Sequence, residues 1–149
     1  MSCDPELEAV FPNLLLRGYK VTSAPSEAPN CVGWALHDVN NFWTPHAGKL
    51  GGYYWPPGFP KDETVETLVR VFELYGYRRC ESADLEDGIE KIAIYAEDGG
   101  LWSHATRQLP SGAWASKLGV GNDIEHQGVG GLAPQYGAVV QIMQRPRRD

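Results

Sequence analysis

The sequence predicts an α+β domain, and three observations carry that expectation. In the first half, apolar residues recur at helical spacing; in the second half they alternate with period two between Gly- and Pro-rich turns. Helical segments come first and an antiparallel strand series follows, which is not the alternating order of a parallel sheet. With 149 residues the chain can bury about 70% of its unfolded surface around one core but cannot build two full domains, so residues 1–149 are read as one unit.

Residues 5–19 hold two short apolar runs around Pro12 and suit a short helix or an extended entry segment. Residues 22–30 form a Pro/Ser loop. Val32, Ala35, Leu36 and Val39 then mark one helical stripe, and Asn30 is a natural N-cap, so this helix starts at Cys31. Residues 40–61 carry too many Pro and Gly for a long helix or a central strand, and too many aromatics for a linker. Such a segment is an ordered loop, either a lid on the core or a ligand-binding wall. Residues 62–75 read as the clearest helix, with Val65, Leu68, Val69 and Phe72 in the stripe and Gly76 as the stop. Residues 81–90 are acidic and turn-like. Residues 90–96 read as a strand, with Ile92, Ile94 and Ala96 alternating against Ala93 and Tyr95. Residues 104–109 and 113–118 read as a hairpin around Pro110-Ser111-Gly112, residues 119–135 as a Gly-rich stretch, and residues 137–143 as a last strand.

The net charge of −6 argues against nonspecific binding to nucleic acid or to an anionic membrane. The basic run Arg145, Arg147 and Arg148 reads as a solvated terminus. No apolar run approaches the ~20 residues of a membrane span, and the first residues lack the pattern of a secretory signal. Three widely spaced cysteines without a Cys-x-x-Cys pair suit a reducing compartment, so a cytoplasmic location is expected. Specialised export remains open.

Cys31 is the first candidate for chemistry. A thiol in the first turn of a helix meets unpaired N–H groups and the positive end of the dipole, and both favour the nucleophilic thiolate. It needs a base. His37 lies six residues along the same helix, about 600° of rotation and ~9 Å away, so the two point apart. His46 lies in the aromatic loop and His126 in the Gly-rich stretch. His104 opens a hairpin strand, a rigid place to hold an imidazole. Should Pro110-Ser111-Gly112 form a three-residue loop, Leu109 opposes Ala113 and His104 lies diagonal to Ser116 on one face. A two-residue turn flips the parity and brings Lys117 round instead.

Asn30-Cys31-Val32-Gly33 at a helix start resembles the Asp-Cys-Ser-Gly helix start of the NlpC-type branch of papain-like cysteine peptidases. The order agrees as well: a strand, then a second strand opening with His104, then a short turn, with Ser116 twelve residues after the histidine. The resemblance spans residues 30–118. It implies a papain-like fold with N-terminal helices packed on a small antiparallel sheet, and amidase or peptidase chemistry. In it Cys31 attacks a carbonyl carbon, His104 moves the proton and Ser116 orients the ring. Asn30 stands where the branch has an acid, Val32 where it has Ser, and Ser116 where a longer polar side chain is usual; Asp123 and Glu125 are rival orienters. The chain also resembles a bacterial family without an assigned activity. Its members share the helix start Asn30-Cys31-x-x-Trp34-Ala35, the turn Leu109-Pro110-x-Gly112 and the run Trp114-x-Ser116-Lys117-Leu118-Gly119.

No cofactor is expected. Cys31, Cys80, His104 and His126 lack metal-ligand spacing, and neither Gly-rich run has the context of a phosphate loop. The expected partner is a small peptide-like substrate, met by Asn30, Trp43, Tyr53, Tyr54 and Trp55. The rival expectation is an inactive module that holds a peptide or glycan in the aromatic cleft of residues 42–59.

Overall fold

A computed structural model describes residues 9, 11, 18–23, 31–36, 42–43, 53–60, 62–97, 100–117, 123–129 and 136–147. Two helices and nine strands are assigned among them. They are β1 (Tyr19–Ser23), α1 (Cys31–Ala35), β2 (Phe42–Trp43), β3 (Tyr53–Tyr54), α2 (Val65–Leu74), β4 (Arg78–Cys80), β5 (Ile89–Ala96), β6 (Trp102–Gln108), β7 (Trp114–Lys117), β8 (Asp123–His126) and β9 (Ala138–Pro146). Seven strands form one sheet in the order β1-β8-β7-β6-β5-β9-β4. Every neighbouring pair in it is antiparallel. The domain is therefore α+β, as its apolar periodicity requires.

Helix α2 forms because each end is satisfied. The Thr64 hydroxyl accepts the Thr67 N–H at 3.2 Å, Asp62 accepts the Thr64 N–H and hydroxyl, and Gly76 takes a φ of 93° just past the end. Its stripe buries Leu68, Val69, Val71 and Phe72 against Ile92 and Ile94 of β5 and Met143 of β9. Strand β5 is central and buried on both faces. Its alternate residues Ala93 and Tyr95 join a second apolar layer with Trp114, Ile124 and Ile142, which Phe11, Val129 and Tyr136 help to cover. Alternation thus reads correctly, but both of its phases are apolar because both faces are covered.

The hairpin between β6 and β7 has the three-residue loop: the Leu109 N–H donates to the Ala113 carbonyl at 2.8 Å, and Arg107 pairs with Ala115. Gly112 sits in the turn at φ 92°. Gly137 is required for a different reason: a Cβ there would lie 2.1 Å from the Ala96 carbonyl oxygen, so only glycine lets β9 approach β5.

Several elements differ from expectation. Strand β1 takes the start of the segment read as a Pro/Ser loop, β8 lies inside the Gly-rich stretch, and β4 follows Gly76 directly. All three are short; β1 and β4 pair with partners far along the chain, and β8 turns back onto β7 across the Gly-containing run 118–122, so local pattern carries little of their stability. Helix α1 is assigned over Cys31–Ala35, Leu36 follows in a turn and packs against the same layer, and Val39 lies outside the described residues, as does Asn30. Within the basic run, Arg145 and Arg147 are not solvated. Arg145 is 6% exposed, donates to Glu90 at 2.5 Å and to the Tyr75 carbonyl at 2.6 Å, and lies over the Tyr77 ring. Arg147 donates to the Ile89 carbonyl. These two lie in and just beyond β9, which ties them to β5 and α2; Arg148 lies outside the described residues.

Candidate active site

Ladder pairing decides which side chains share a face. Tyr95 pairs with His104 and Ala93 with Thr106, while Trp114 pairs with His126 and Ser116 with Ile124. Because side chains alternate along a strand, His104, Thr106, Ser116 and His126 all leave the sheet on the face of Tyr95, Trp114 and Ile124. There they form a buried polar network. His104 Nε2 is 3.1 Å from Ser116 Oγ, Ser116 Oγ is 2.8 Å from His126 Nε2, and His126 Nδ1 is 2.8 Å from the Gly128 carbonyl oxygen. Thr106 Oγ1 lies 2.7 Å from Ser116 Oγ and donates to the Ala115 carbonyl at 2.8 Å. The four side chains are at most 1% exposed.

Burial controls the charge here. It holds the His104 pKa well below its ordinary value, with a further push from the neighbouring His126. It pulls His126 down to about 4, opposed in part by the bond to Gly128. Both rings are neutral at physiological pH. The ring of Tyr136 stacks on His104 with centroids 4.2 Å apart and planes 6° from parallel. The Tyr136 phenol is held above its ordinary pKa by burial first and by the charge of a Cys31 thiolate second. Tyr136 is thus in contact with His104 and in the electrostatic neighbourhood of Cys31.

The expected residues can now be placed. His104 and Ser116 are brought together on the diagonal that the three-residue loop requires. Cys31 starts α1, and α1 packs across β6 and β7, the strands that carry His104 and Ser116. The thiol is buried, 6% exposed, in the apolar layer of Val32, Ala35 and Ala105, and Ala105 alternates with His104 along β6, so it leaves the opposite face of the sheet from the His104 ring. The His104 ring bonds Ser116 through Nε2. Glu125 alternates with Ile124 and His126, so it leaves the opposite face, where it lines a surface hollow of about 310 Å³ together with Tyr19, Ser111 and Gln127. Asp123 falls on the same alternate phase as Glu125, and its side chain lies outside the described set.

The aromatic loop is partly core. Backbone of Phe42–Trp43 pairs in parallel with Tyr53–Tyr54, which joins its two aromatic runs. The side chains of Trp43, Tyr53 and Tyr54 lie outside the described residues. Trp55 is buried in the layer of α2, and its Nε1 donates to the Pro60 carbonyl at 3.0 Å. Trp55 is therefore a core residue rather than an open ligand contact.

Sequence reasoning missed Thr106, His126 and Tyr136 as neighbours of His104. The spacing Ile124-x-His126 was the available signal, because a histidine in phase with a buried isoleucine on a strand faces the same core.

No curated protein and no solved structure matches the chain. The model of the family described as Domain of unknown function (DUF7689) matches residues 20–144, most of the chain, and the chain belongs to that family.

Proposed function

We propose that this domain is a cysteine hydrolase of the papain-like, NlpC type that cleaves an amide bond in a short peptide-like substrate. The observation that carries the reading is the 3.1 Å contact of His104 Nε2 with Ser116 Oγ, on strands crossed by the helix that begins with Cys31. A base held at Nε2 by a hydroxyl keeps its other nitrogen, Nδ1, for a thiol. Burial keeps His104 neutral, the form that accepts a proton. In the proposed reaction the Cys31 Sγ–H bond breaks, His104 Nδ1 takes the proton, and sulfur attacks the carbonyl carbon. The backbone N–H of Cys31, in the first turn of its helix, faces the developing oxyanion. His104 then protonates the leaving amine, and water releases the acyl group.

The test is amine release from a panel of short peptide amides. Cys31→Ala and His104→Ala abolish it while circular dichroism stays that of the wild type. Turnover that survives Cys31→Ala overturns the reading.

One observation favours a second reading, a binding module without turnover. The Cys31 thiol is buried among Val32, Ala35 and Ala105, and Ala105 leaves the face of β6 opposite to His104. On that reading the histidine network is structural, and peptide or glycan binding persists unchanged in Cys31→Ala.

A further inference from the structure

We propose that His126, with Thr106 beside it, is a positioning residue that fixes which nitrogen of His104 carries the proton. The functional consequence rests on the hydrolase reading; the proton assignment does not. The network is closed at the Gly128 carbonyl. The Gly128 carbonyl can only accept, so the His126 Nδ1 at 2.8 Å must donate to it. A neutral His126 therefore presents a bare lone pair at Nε2. Among the described residues, the hydroxyl nearest to that lone pair is Ser116 at 2.8 Å; Thr106 Oγ1 is 3.4 Å away.

Ser116 has one proton to give and two takers other than His104: His126 Nε2 at 2.8 Å and Thr106 Oγ1 at 2.7 Å. Whichever receives it, Ser116 Oγ turns a lone pair toward His104 Nε2 at 3.1 Å. That nitrogen must then be the donor. His104 is thereby held as the Nε2–H form, with its lone pair on Nδ1.

This is the state that the proposed reaction needs. When Nδ1 takes the thiol proton, the electron pair of the S–H bond stays on sulfur and Nε2–H continues to donate to Ser116. No proton in the network has to move. With the opposite tautomer, Nδ1 would already carry a hydrogen and could not act as the base. Ser116 alone cannot choose between the two, because a hydroxyl donates as readily as it accepts. The choice is made by the groups behind it.

The experiment is nitrogen-detected NMR of the histidine rings of the full chain at neutral pH, which distinguishes a protonated from a bare ring nitrogen without any substrate. In the wild type, His104 is expected protonated at Nε2 and His126 at Nδ1. His126→Leu is expected to raise an Nδ1–H population of His104. Adding Thr106→Val leaves Ser116 no taker but His104, and the Nδ1–H form becomes the majority. His126→Gln offers an amide oxygen to Ser116 and restores the wild-type pattern, which a purely packing role would not do. A His104 protonated on Nδ1 in the wild type overturns the proposal, and so does a double variant with an unchanged tautomer. The wild-type spectrum decides even if a variant does not fold. Failure of the hydrolase reading shows instead as absent turnover with this proton pattern intact.

Discussion

Acid should unfold this protein earlier than its carboxylates alone require. His126 is buried and its pKa falls to about 4 from an ordinary value of 6.5. Above pH 6.5 neither state binds a proton there, so the full stability is present. Between pH 6.5 and 4 the unfolded chain takes up a proton that the folded protein refuses, and stability is lost as pH falls. One such histidine costs about 1.4 kcal/mol per pH unit, hence about 2 kcal/mol between pH 6.5 and 5. His104 is shifted in the same direction and adds to the loss. Asp62 and Glu66 have pKa values lowered by their hydrogen bonds from 3.8 and 4.5, so they titrate below this window. The assay is urea unfolding at pH 7, 6 and 5, in wild type and in His126→Gln. The wild type should lose at least about 2 kcal/mol from pH 7 to 5, and the variant should lose visibly less. An unfolding free energy that stays flat over this range would refute the claim that both rings are buried and neutral.

Ser116→Ala strands two buried imidazole nitrogens, and at about 1–3 kcal/mol for each unsatisfied group it should cost about 2–4 kcal/mol in urea unfolding. A loss below about 0.5 kcal/mol would mean that water or a neighbour replaces the hydroxyl. Thr64→Ala removes the N-cap of α2 and should cost about 1 kcal/mol, read from the shift of the same midpoint. Arg145→Met removes the guanidinium from the buried Glu90 carboxylate, 5% exposed at its side chain, and should cost about 3–5 kcal/mol. Adding Glu90→Gln should restore part of that loss; a double variant as unstable as the single one would count against the ion pair.

The parts of the fold that local chemistry controls were legible. Helix α2 announces itself through cap, stripe and stop, and the β6–β7 hairpin through Pro110-Ser111-Gly112, whose loop length sets the parity that brings His104 to Ser116. Strands β1, β4 and β8 were not legible, because they are three to five residues long: β1 and β4 depend on partners far along the chain, and β8 is a four-residue strand behind the Gly-containing run 118–122. His126 was passed over for that reason: without β8 it belonged to a Gly-rich stretch, and with β8 it faces Ser116. Arg145 was misjudged because its partner Glu90 lies 55 residues away, a pairing made by the β5–β9 ladder. Trp55 shows the same limit in the aromatic loop, where composition announces an ordered segment but does not say which rings point inward.

The central claim is that Cys31 and His104 work as one unit, and thiol alkylation tests it most directly. Wild-type protein is treated with iodoacetamide near neutral pH, and the labelled residue and its rate are read by mass spectrometry, in parallel with His104→Gln. The account predicts that Cys31 is the fast thiol, that Cys80, whose pKa is raised by burial, reacts slowly, and that His104→Gln slows Cys31 by at least tenfold. A Cys31 that resists alkylation until the protein unfolds, or one whose rate ignores His104, contradicts it.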